Sequence, residues 1–140
     1  MSSTTTNKTA PRSLSHQKML YLTTTALFAA LVCITTAYIF HIPTGSNGGY
    51  VHVGDAIIYL AASVLPAPYA MLAAGIGGAM ADLLTAPVWA PATFIIKMLN
   101  VIPFTWKKDK ILGTRNLIAL VLSGFITFFG YFIAEGILFG

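Results

Sequence analysis

Four charged side chains lie within or beside long apolar runs of this 140-residue chain: Asp55, Asp82, Lys97 and Glu135. An ionisable group at membrane depth is costly unless it faces protein or water, so each is a candidate for a functional role. On a helix, Thr93 and Asn100 share one polar stripe with Lys97. We expect this stripe to face inward, where Lys97 contacts an anionic or carbonyl-bearing solute, or pairs with Asp82 or Glu135.

Each of the acidic residues has two interpretations. Asp55 stands where the N-cap of a helix belongs, and it serves either as that cap or as a ligand contact. Asp82 closes an apolar run and forms either an interhelical salt bridge or part of a binding site. Glu135, one helical turn after Tyr131, is expected at the outer membrane interface, with a buried ion pair as the alternative.

Three rings with polar groups lie near glycines or prolines: Tyr50, His52 and Trp89. Glycine allows close backbone approach, and such rings are common both in small-molecule sites and in the aromatic belt of membrane proteins. For Trp89 alone the belt is the better interpretation. His52 has only Asp55 at helical ligand spacing, so we expect no metal site.

Sequence signatures of catalysis are absent. Residues 75–78 read G-I-G-G without the lysine of a phosphate-binding loop, and neither a nucleophile elbow nor an HExxH zinc motif occurs. An intramembrane enzyme with Asp55 or Asp82 as general base would need a matched nucleophile or metal, which we do not find. We therefore expect no catalytic residue, no cofactor and no ATP hydrolysis in this chain.

The elements that position these residues follow from the composition. Hydrophobic residues make up 56% of the chain and charged residues 9%, against about 25% charged residues in a soluble domain. The length allows one domain and, at roughly 20 residues per crossing, at most five or six transmembrane helices. The predicted fold class is all-α, a polytopic transmembrane helical bundle. The single cysteine, Cys33, excludes an intramolecular disulfide.

Proline- and glycine-rich breaks divide the apolar sequence into five predicted spans. Residues 1–18, rich in Ser and Thr, predict a disordered tail, and residues 19–140 a transmembrane substrate-binding domain. Residues 41–54 are expected to form a loop, because their composition breaks both helix and strand. The predicted helices cover residues 20–40, 56–65, 69–84, 91–102 and 117 to the C-terminus.

Basic residues indicate which helix ends face the cytoplasm. They form one cluster before the first helix and another between the fourth and fifth: Lys8, Arg12 and Lys18, then Lys107, Lys108, Lys110 and Arg115. Five crossings with a cytoplasmic N-terminus place both clusters inside and the glycine-rich loop outside. We expect a multi-pass protein of the plasma membrane.

Small residues recur at helical spacing in the first helix, in two adjacent stripes: Thr25, Ala29, Cys33 and Ala37, then Ala26 and Ala30. Small residues let helices approach closely in lipid. The stripes indicate either packing within the chain or docking against a partner membrane subunit.

Three motifs follow one another in a characteristic order. G-Y-V-H-V-G-D (residues 49–55) opens the second helix, G-I-G-G-A-M-A-D (75–82) closes the third, and A-P-A-T-F-I-I-K (90–97) opens the fourth. With the small-residue stripes, this order resembles the substrate-binding S components of energy-coupling factor (ECF) transporters, particularly the riboflavin-transporter-like group. The resemblance covers residues 20–140.

The resemblance implies a compact six-helix fold that captures a vitamin or related micronutrient from outside, with the loop after the first helix as a lid. It also implies partners: a transmembrane T component and two cytoplasmic ATPase subunits, which use the ATP. Docking on the T component would involve four alanines: Ala26, Ala29, Ala30 and Ala37. Because five helices are predicted here, the family's last helix is expected to be missing from this chain.

We therefore predict a non-enzymatic membrane subunit that binds a small solute for uptake. Its expected substrate-binding residues are Tyr50, His52, Asp55, Asp82, Trp89, Lys97 and Asn100. Riboflavin, pantothenate and a thiamine precursor all stay open as ligands. The alternative is a structural or assembly membrane protein without a ligand, in which the same charges only pair with one another.

Overall fold

The computed structural model describes residues 13–44, 49–104, 111 and 113–140. Within these residues the predicted all-α bundle is confirmed. There are five α-helices among them, and a small hairpin separates the first two. The elements are α1 (Leu14–Tyr38), β1 (Ile42–Thr44), β2 (Gly49–Val51), α2 (Gly54–Val64), α3 (Ala67–Thr85), a 3-10 turn (Pro87–Trp89), α4 (Ala90–Leu99) and α5 (Thr114–Phe139).

Helix α1 begins six residues earlier than the sequence predicts. Ser13 is its N-cap, and the Ser13 hydroxyl accepts a hydrogen bond from the backbone N–H of His16 at 3.4 Å. This cap allows the helix to include Lys18, which the prediction had assigned to the tail. Residues 1–12 of that predicted tail lie outside the described residues.

A two-stranded antiparallel hairpin occupies part of the segment predicted to be a loop. Ile42 pairs with Val51 and Pro43 with Tyr50. The loop prediction was wrong for these residues, because a strand of three residues leaves little trace in composition. Pro43 is tolerated because both strands of a two-stranded sheet are edge strands.

Two of the five helices are shorter than a membrane crossing. Within the described residues, α1, α3 and α5 are long and apolar enough to cross a membrane. Helix α2 has 11 residues, or about 16 Å, against a hydrocarbon core of about 30 Å. Of the five predicted spans, three are therefore long helices, and α2 and α4 are short apolar ones. Pro66 limits the length of α2, because it follows the C-cap residue Leu65 and is itself the N-cap of α3.

Close contact between α1 and α3 forms the centre of the bundle. A Cβ atom on Gly77 would lie 2.6 Å from the carbonyl oxygen of Ala29 and 2.7 Å from Cβ of Val32. Only glycine allows the two backbones to approach this closely. The first small-residue stripe of α1 therefore packs within the chain, as the buried Ala29 and Ala37 show. Ala26 and Ala30 of the second stripe are exposed.

Candidate solute-binding site

A buried ion pair joins α4 to α2. Lys97 is 1% exposed, and its Nζ donates to Oδ1 of Asp55 at 2.6 Å. The side chain of Asp55 keeps 23% of its surface exposed. The expected partners of Lys97, Asp82 and Glu135, were therefore wrong. Glu135 is exposed near the end of α5.

The position of Asp55 also differs from the predicted N-cap. Helix α2 begins at Gly54, with Val53 as its N-cap and no capping side chain. Asp55 lies in the first helical turn, where a carboxylate interacts favourably with the positive end of the helix dipole. Its side chain is thereby free to reach across to Lys97.

Lys97 reaches the ion pair along a groove in α3. A Cβ on Gly78 would lie 3.0 Å from Cγ of Lys97 and 3.1 Å from Cγ2 of Thr93, so the lysine stem lies against the α3 backbone. Its Nζ also lies 5.4 Å from the ring centroid of Tyr131 on α5, within range of a cation–π interaction. Lys97 of α4 therefore contacts three other helices, α2, α3 and α5.

Asp82 connects the hairpin to α3. The residue is 2% exposed, and its carboxylate accepts a hydrogen bond from the hydroxyl of Tyr50 on β2. Thr93 of α4 also hydrogen-bonds to Asp82, and the Thr93 hydroxyl lies 2.8 Å from the hydroxyl of Tyr131. Asp82 forms no ion pair with the other described residues, so the salt bridge expected for it is wrong. Its carboxylate is hydrogen-bonded to hydroxyl groups instead.

Three rings of the hairpin and its flanks pack in series, each pair tilted. The ring centroid of Tyr50 lies 4.0 Å from that of His41 and 5.4 Å from that of His52. Nδ1 of His52 accepts from the backbone N–H of Gly54 at 3.0 Å. Burial, followed by the charge of Lys97, lowers the pKa of His52 to about 4. Burial and the hydrogen bond to Asp82 raise the pKa of Tyr50, so at neutral pH its hydroxyl stays a donor.

Trp89 closes this region at the start of α4. Its side chain is buried, and its ring lies 5.8 Å from the Tyr131 ring and 5.6 Å from the Phe139 ring. A belt residue would face lipid, so the belt interpretation of Trp89 is not supported by this position. The ring therefore packs against Tyr131 and Phe139 inside the bundle.

Asn100 lies apart from the hairpin. Its Nδ2 donates to Oγ1 of Thr127 at 2.8 Å, and its backbone carbonyl accepts from the Ser123 hydroxyl at 2.6 Å. Both partners belong to α5. Oδ1 of Asn100 is buried and has no hydrogen-bond partner among the described residues. Asn100 therefore joins α4 to α5, whereas the other predicted site residues are grouped around the hairpin.

Three residues of this cluster were not among the predicted site residues: Thr93, Tyr131 and His41. From the sequence, Thr93 was named only as part of the polar stripe with Lys97. Tyr131 contacts Lys97, Thr93 and Trp89, yet in the sequence it lies in an aromatic-rich run where nothing marks it. His41 packs on Tyr50 but stands eleven residues before His52 in sequence. No signal in the sequence marked either Tyr131 or His41, because the hairpin that brings His41 next to Tyr50 was not predicted.

The chain is similar to known proteins over most of its length. A family model described as "ECF-type riboflavin transporter, S component" matches residues 16–140. A protein of Pyrococcus woesei, described as "Uncharacterized protein in gap 3'region", is 32% identical over 113 residues. That alignment covers 78% of this chain and 74% of the relative. The family match includes the residues grouped around the hairpin, which we call the hairpin cluster: His41, Tyr50, His52, Asp55, Asp82, Trp89, Thr93, Lys97 and Tyr131.

Proposed function

Because the chain belongs to the family of S components of ECF-type riboflavin transporters, we propose that it captures riboflavin or a closely related vitamin at the hairpin end of its bundle. The family consists of transporter subunits and is not an enzyme family. The chain is thus a multi-pass membrane protein and the substrate-binding subunit of an ECF transporter. The proposal adds the ligand, the location of its site and the direction of uptake.

The observation that carries the proposal is that the hairpin is hydrogen-bonded to a buried polar cluster. Tyr50 of β2 donates to Asp82, while Asp55, four residues after the hairpin ends at Val51, pairs with Lys97. Burying several polar groups in an apolar bundle is costly, so their convergence beneath one short hairpin supports a binding site. In this proposal the hairpin serves as a lid over that site.

The partners and the orientation complete the proposal. A transmembrane T component would dock on the exposed Ala26 and Ala30, because Ala29 and Ala37 are packed inside the chain. Two cytoplasmic ATPase subunits would use the ATP that drives release. The basic clusters support a cytoplasmic N-terminus, with the hairpin on the outer side.

The test is to purify the full-length protein in a nonionic detergent and to identify co-purifying small molecules by mass spectrometry. Thermal unfolding is then measured with riboflavin, pantothenate and thiamine added separately. We expect riboflavin to raise the unfolding temperature. A second candidate function, a structural subunit without a ligand, is favoured by the self-contained pair of Lys97 and Asp55. No ligand in either experiment would support that second candidate.

The role of Lys97 is tested with a charge-matched control. Lys97→Met keeps the length of the lysine stem and removes the charge, and we expect it to weaken riboflavin binding by about tenfold or more, equivalent to about 1.4 kcal/mol. Lys18→Met removes a charge from an exposed position on α1 and should leave affinity unchanged. Unchanged affinity in Lys97→Met would remove Lys97 from the site.

A further inference from the structure

The connection between α1 and the hairpin contains a residue with a left-handed backbone. Phe40 has a φ of 50°, a region that glycine adopts readily and that costs free energy for a residue with a Cβ atom. The Phe40 side chain is 72% exposed, so its own packing does not hold the backbone in this conformation. The strain at Phe40 is therefore offset by contacts of the segment that follows it.

That segment begins and ends beside the same residue of α1. Nδ1 of His41 lies 3.1 Å from the backbone carbonyl of Thr36, and because a carbonyl can only accept, Nδ1 is the donor. At the other end, Gly54 lies so close to Oγ1 of Thr36 that a Cβ atom would not fit between them. Thr36 therefore marks the base of the hairpin.

The contact furthest from this base is the hydrogen bond from Tyr50 to Asp82. Tyr50 lies in β2 opposite Pro43, and its hydroxyl donates to the carboxylate of Asp82, near the end of α3. Asp82 is 2% exposed, so water does not readily replace this bond when it breaks. The hairpin is thus attached to α1 at its base and to α3 through one side chain.

We propose that the hairpin is a lid held closed against backbone strain, in which Phe40 favours opening and the hydrogen bond from Tyr50 to Asp82 opposes it. When this bond breaks, the hairpin can turn about its base at Thr36 and Phe40 can return to a negative φ. Phe40 and Tyr50 are positioning residues here, because they act through the hairpin. The inference rests on the proposed function for its role, which is to set how long a bound solute stays, but the strain and the bond are present without ligand.

The first test measures hydrogen–deuterium exchange of the ligand-free, full-length protein in a nonionic detergent. Tyr50→Phe removes the hydroxyl and keeps the ring that packs against His41 and His52. We expect the backbone amides of β1 and β2 to exchange about tenfold faster, while those of α3 stay unchanged. Unchanged exchange in the hairpin, or an equal acceleration in α3, would overturn the role of this hydrogen bond.

Glycine and alanine at position 40 then isolate the strain. Both remove the exposed ring, but only glycine adopts a φ of 50° without cost. We expect the hairpin amides of Phe40→Gly to exchange about fivefold more slowly than those of Phe40→Ala. Equal exchange in these two variants would overturn the role of Phe40. If Tyr50→Phe does not fold, this comparison still decides whether strain opposes closure.

The neighbouring residue provides the matched control. Ile39 has a φ of −101°, where alanine is not strained. Ile39→Gly should therefore exchange no more slowly in the hairpin than Ile39→Ala. Slower exchange in Ile39→Gly would show that glycine acts at this connection without relieving a left-handed backbone, and would overturn the assignment of strain to Phe40.

The second measurement is the dissociation rate of riboflavin from the same proteins, followed by flavin fluorescence. We expect faster dissociation from Tyr50→Phe than from the wild type, and slower dissociation from Phe40→Gly than from Phe40→Ala, because the solute leaves when the lid opens. If riboflavin does not bind and hydrogen exchange changes as expected, the proposed ligand is wrong and the strained lid is supported. If exchange changes but riboflavin leaves every variant at the wild-type rate, the hairpin does not control release and the inference is overturned.

Discussion

Lys97 donates to Asp55 across 2.6 Å, although 42 positions separate the two residues in sequence. Their environments are unequal, because Lys97 is 1% exposed while the Asp55 side chain is 23% exposed. Water can therefore reach one member of the pair and not the other. The cost of removing either partner should differ accordingly.

We expect Asp55→Asn to destabilise the protein more than Lys97→Met. The first variant leaves a buried ammonium without its counter-charge, a change that typically costs about 3–5 kcal/mol. The second leaves a carboxylate that water can solvate. The double variant should recover much of the loss, since neither charge is then left alone. Thermal unfolding of the wild type, the two single variants and the double variant in detergent provides the measurement. Equal losses of stability in the two single variants would contradict the unequal exposure of Lys97 and Asp55.

The junction between the hairpin and α2 gives a second prediction. A Cβ on Gly54 would lie 2.0 Å from Oγ1 of Thr36 and 2.9 Å from Nδ1 of His52. Gly54→Ala should therefore lower stability by about 1–3 kcal/mol, the usual cost of overpacking. It should also weaken ligand binding, because the displaced segment carries both the hairpin and Asp55.

A second substitution separates this clash from a general effect of alanine. Oγ1 of Thr36 is buried without a hydrogen-bond partner among the described residues, so Thr36→Ala loses no such bond and creates the missing space. Adding Thr36→Ala should restore much of the stability lost in Gly54→Ala. Gly124→Ala is the matched control, since nothing lies within 4 Å of its added Cβ and alanine favours the helix. Failure of the rescue would exclude Thr36 as the cause.

Stability should depend on pH through His52. Its pKa is lowered from 6.5 to about 4, so between these values the unfolded chain takes up a proton that the folded protein does not. The stabilisation is therefore complete above pH 6.5 and is lost as the pH falls towards 4. We expect the unfolding temperature of the wild type to fall more steeply over this range than that of His52→Asn.

The asparagine variant is chosen to keep the local hydrogen bond. Its Oδ1 can accept from the N–H two residues later, as in an Asx turn, and so can replace the bond from Gly54 to Nδ1 of His52. His16→Asn, at an exposed position near the start of α1, is the control. Parallel pH profiles of the wild type and His52→Asn would contradict the prediction.

Composition and apolar runs were sufficient to predict the helices. Helix α1 was predicted over residues 20–40 and is observed over Leu14–Tyr38, and α3 was predicted to end at residue 84 and ends at Thr85. These signals are local, because each depends on hydropathy or on a proline in the same segment. The short strands were missed, since three residues with Pro43 among them carry no periodic pattern.

Pairing was less predictable than burial. The polar stripe of α4 correctly placed Lys97 inside the bundle, because a charge within an apolar helix has few other positions. Its partner depended on how the hairpin positions the first turn of α2, and that arrangement is set by tertiary packing. Asp55 and Asp82 were therefore both recognisable as candidates, while their partners Lys97 and Tyr50 could not be assigned from spacing alone.

Helix α5 is attached to the bundle along one polar edge, and Thr127 provides the test. Oγ1 of Thr127 accepts from Nδ2 of Asn100 at 2.8 Å, a hydrogen bond between two helices in an apolar environment. Thr127→Val keeps the shape and leaves Nδ2 without this acceptor, so we expect a loss of about 0.6 kcal/mol and at most about 1.7 kcal/mol. Thr23→Val is the control, since the Thr23 hydroxyl donates only within its own helix, to the carbonyl of Met19 at 2.9 Å. Equal unfolding temperatures for the two variants would show that α5 is held by apolar packing instead, because the bond to Asn100 would then contribute no more than a bond inside one helix.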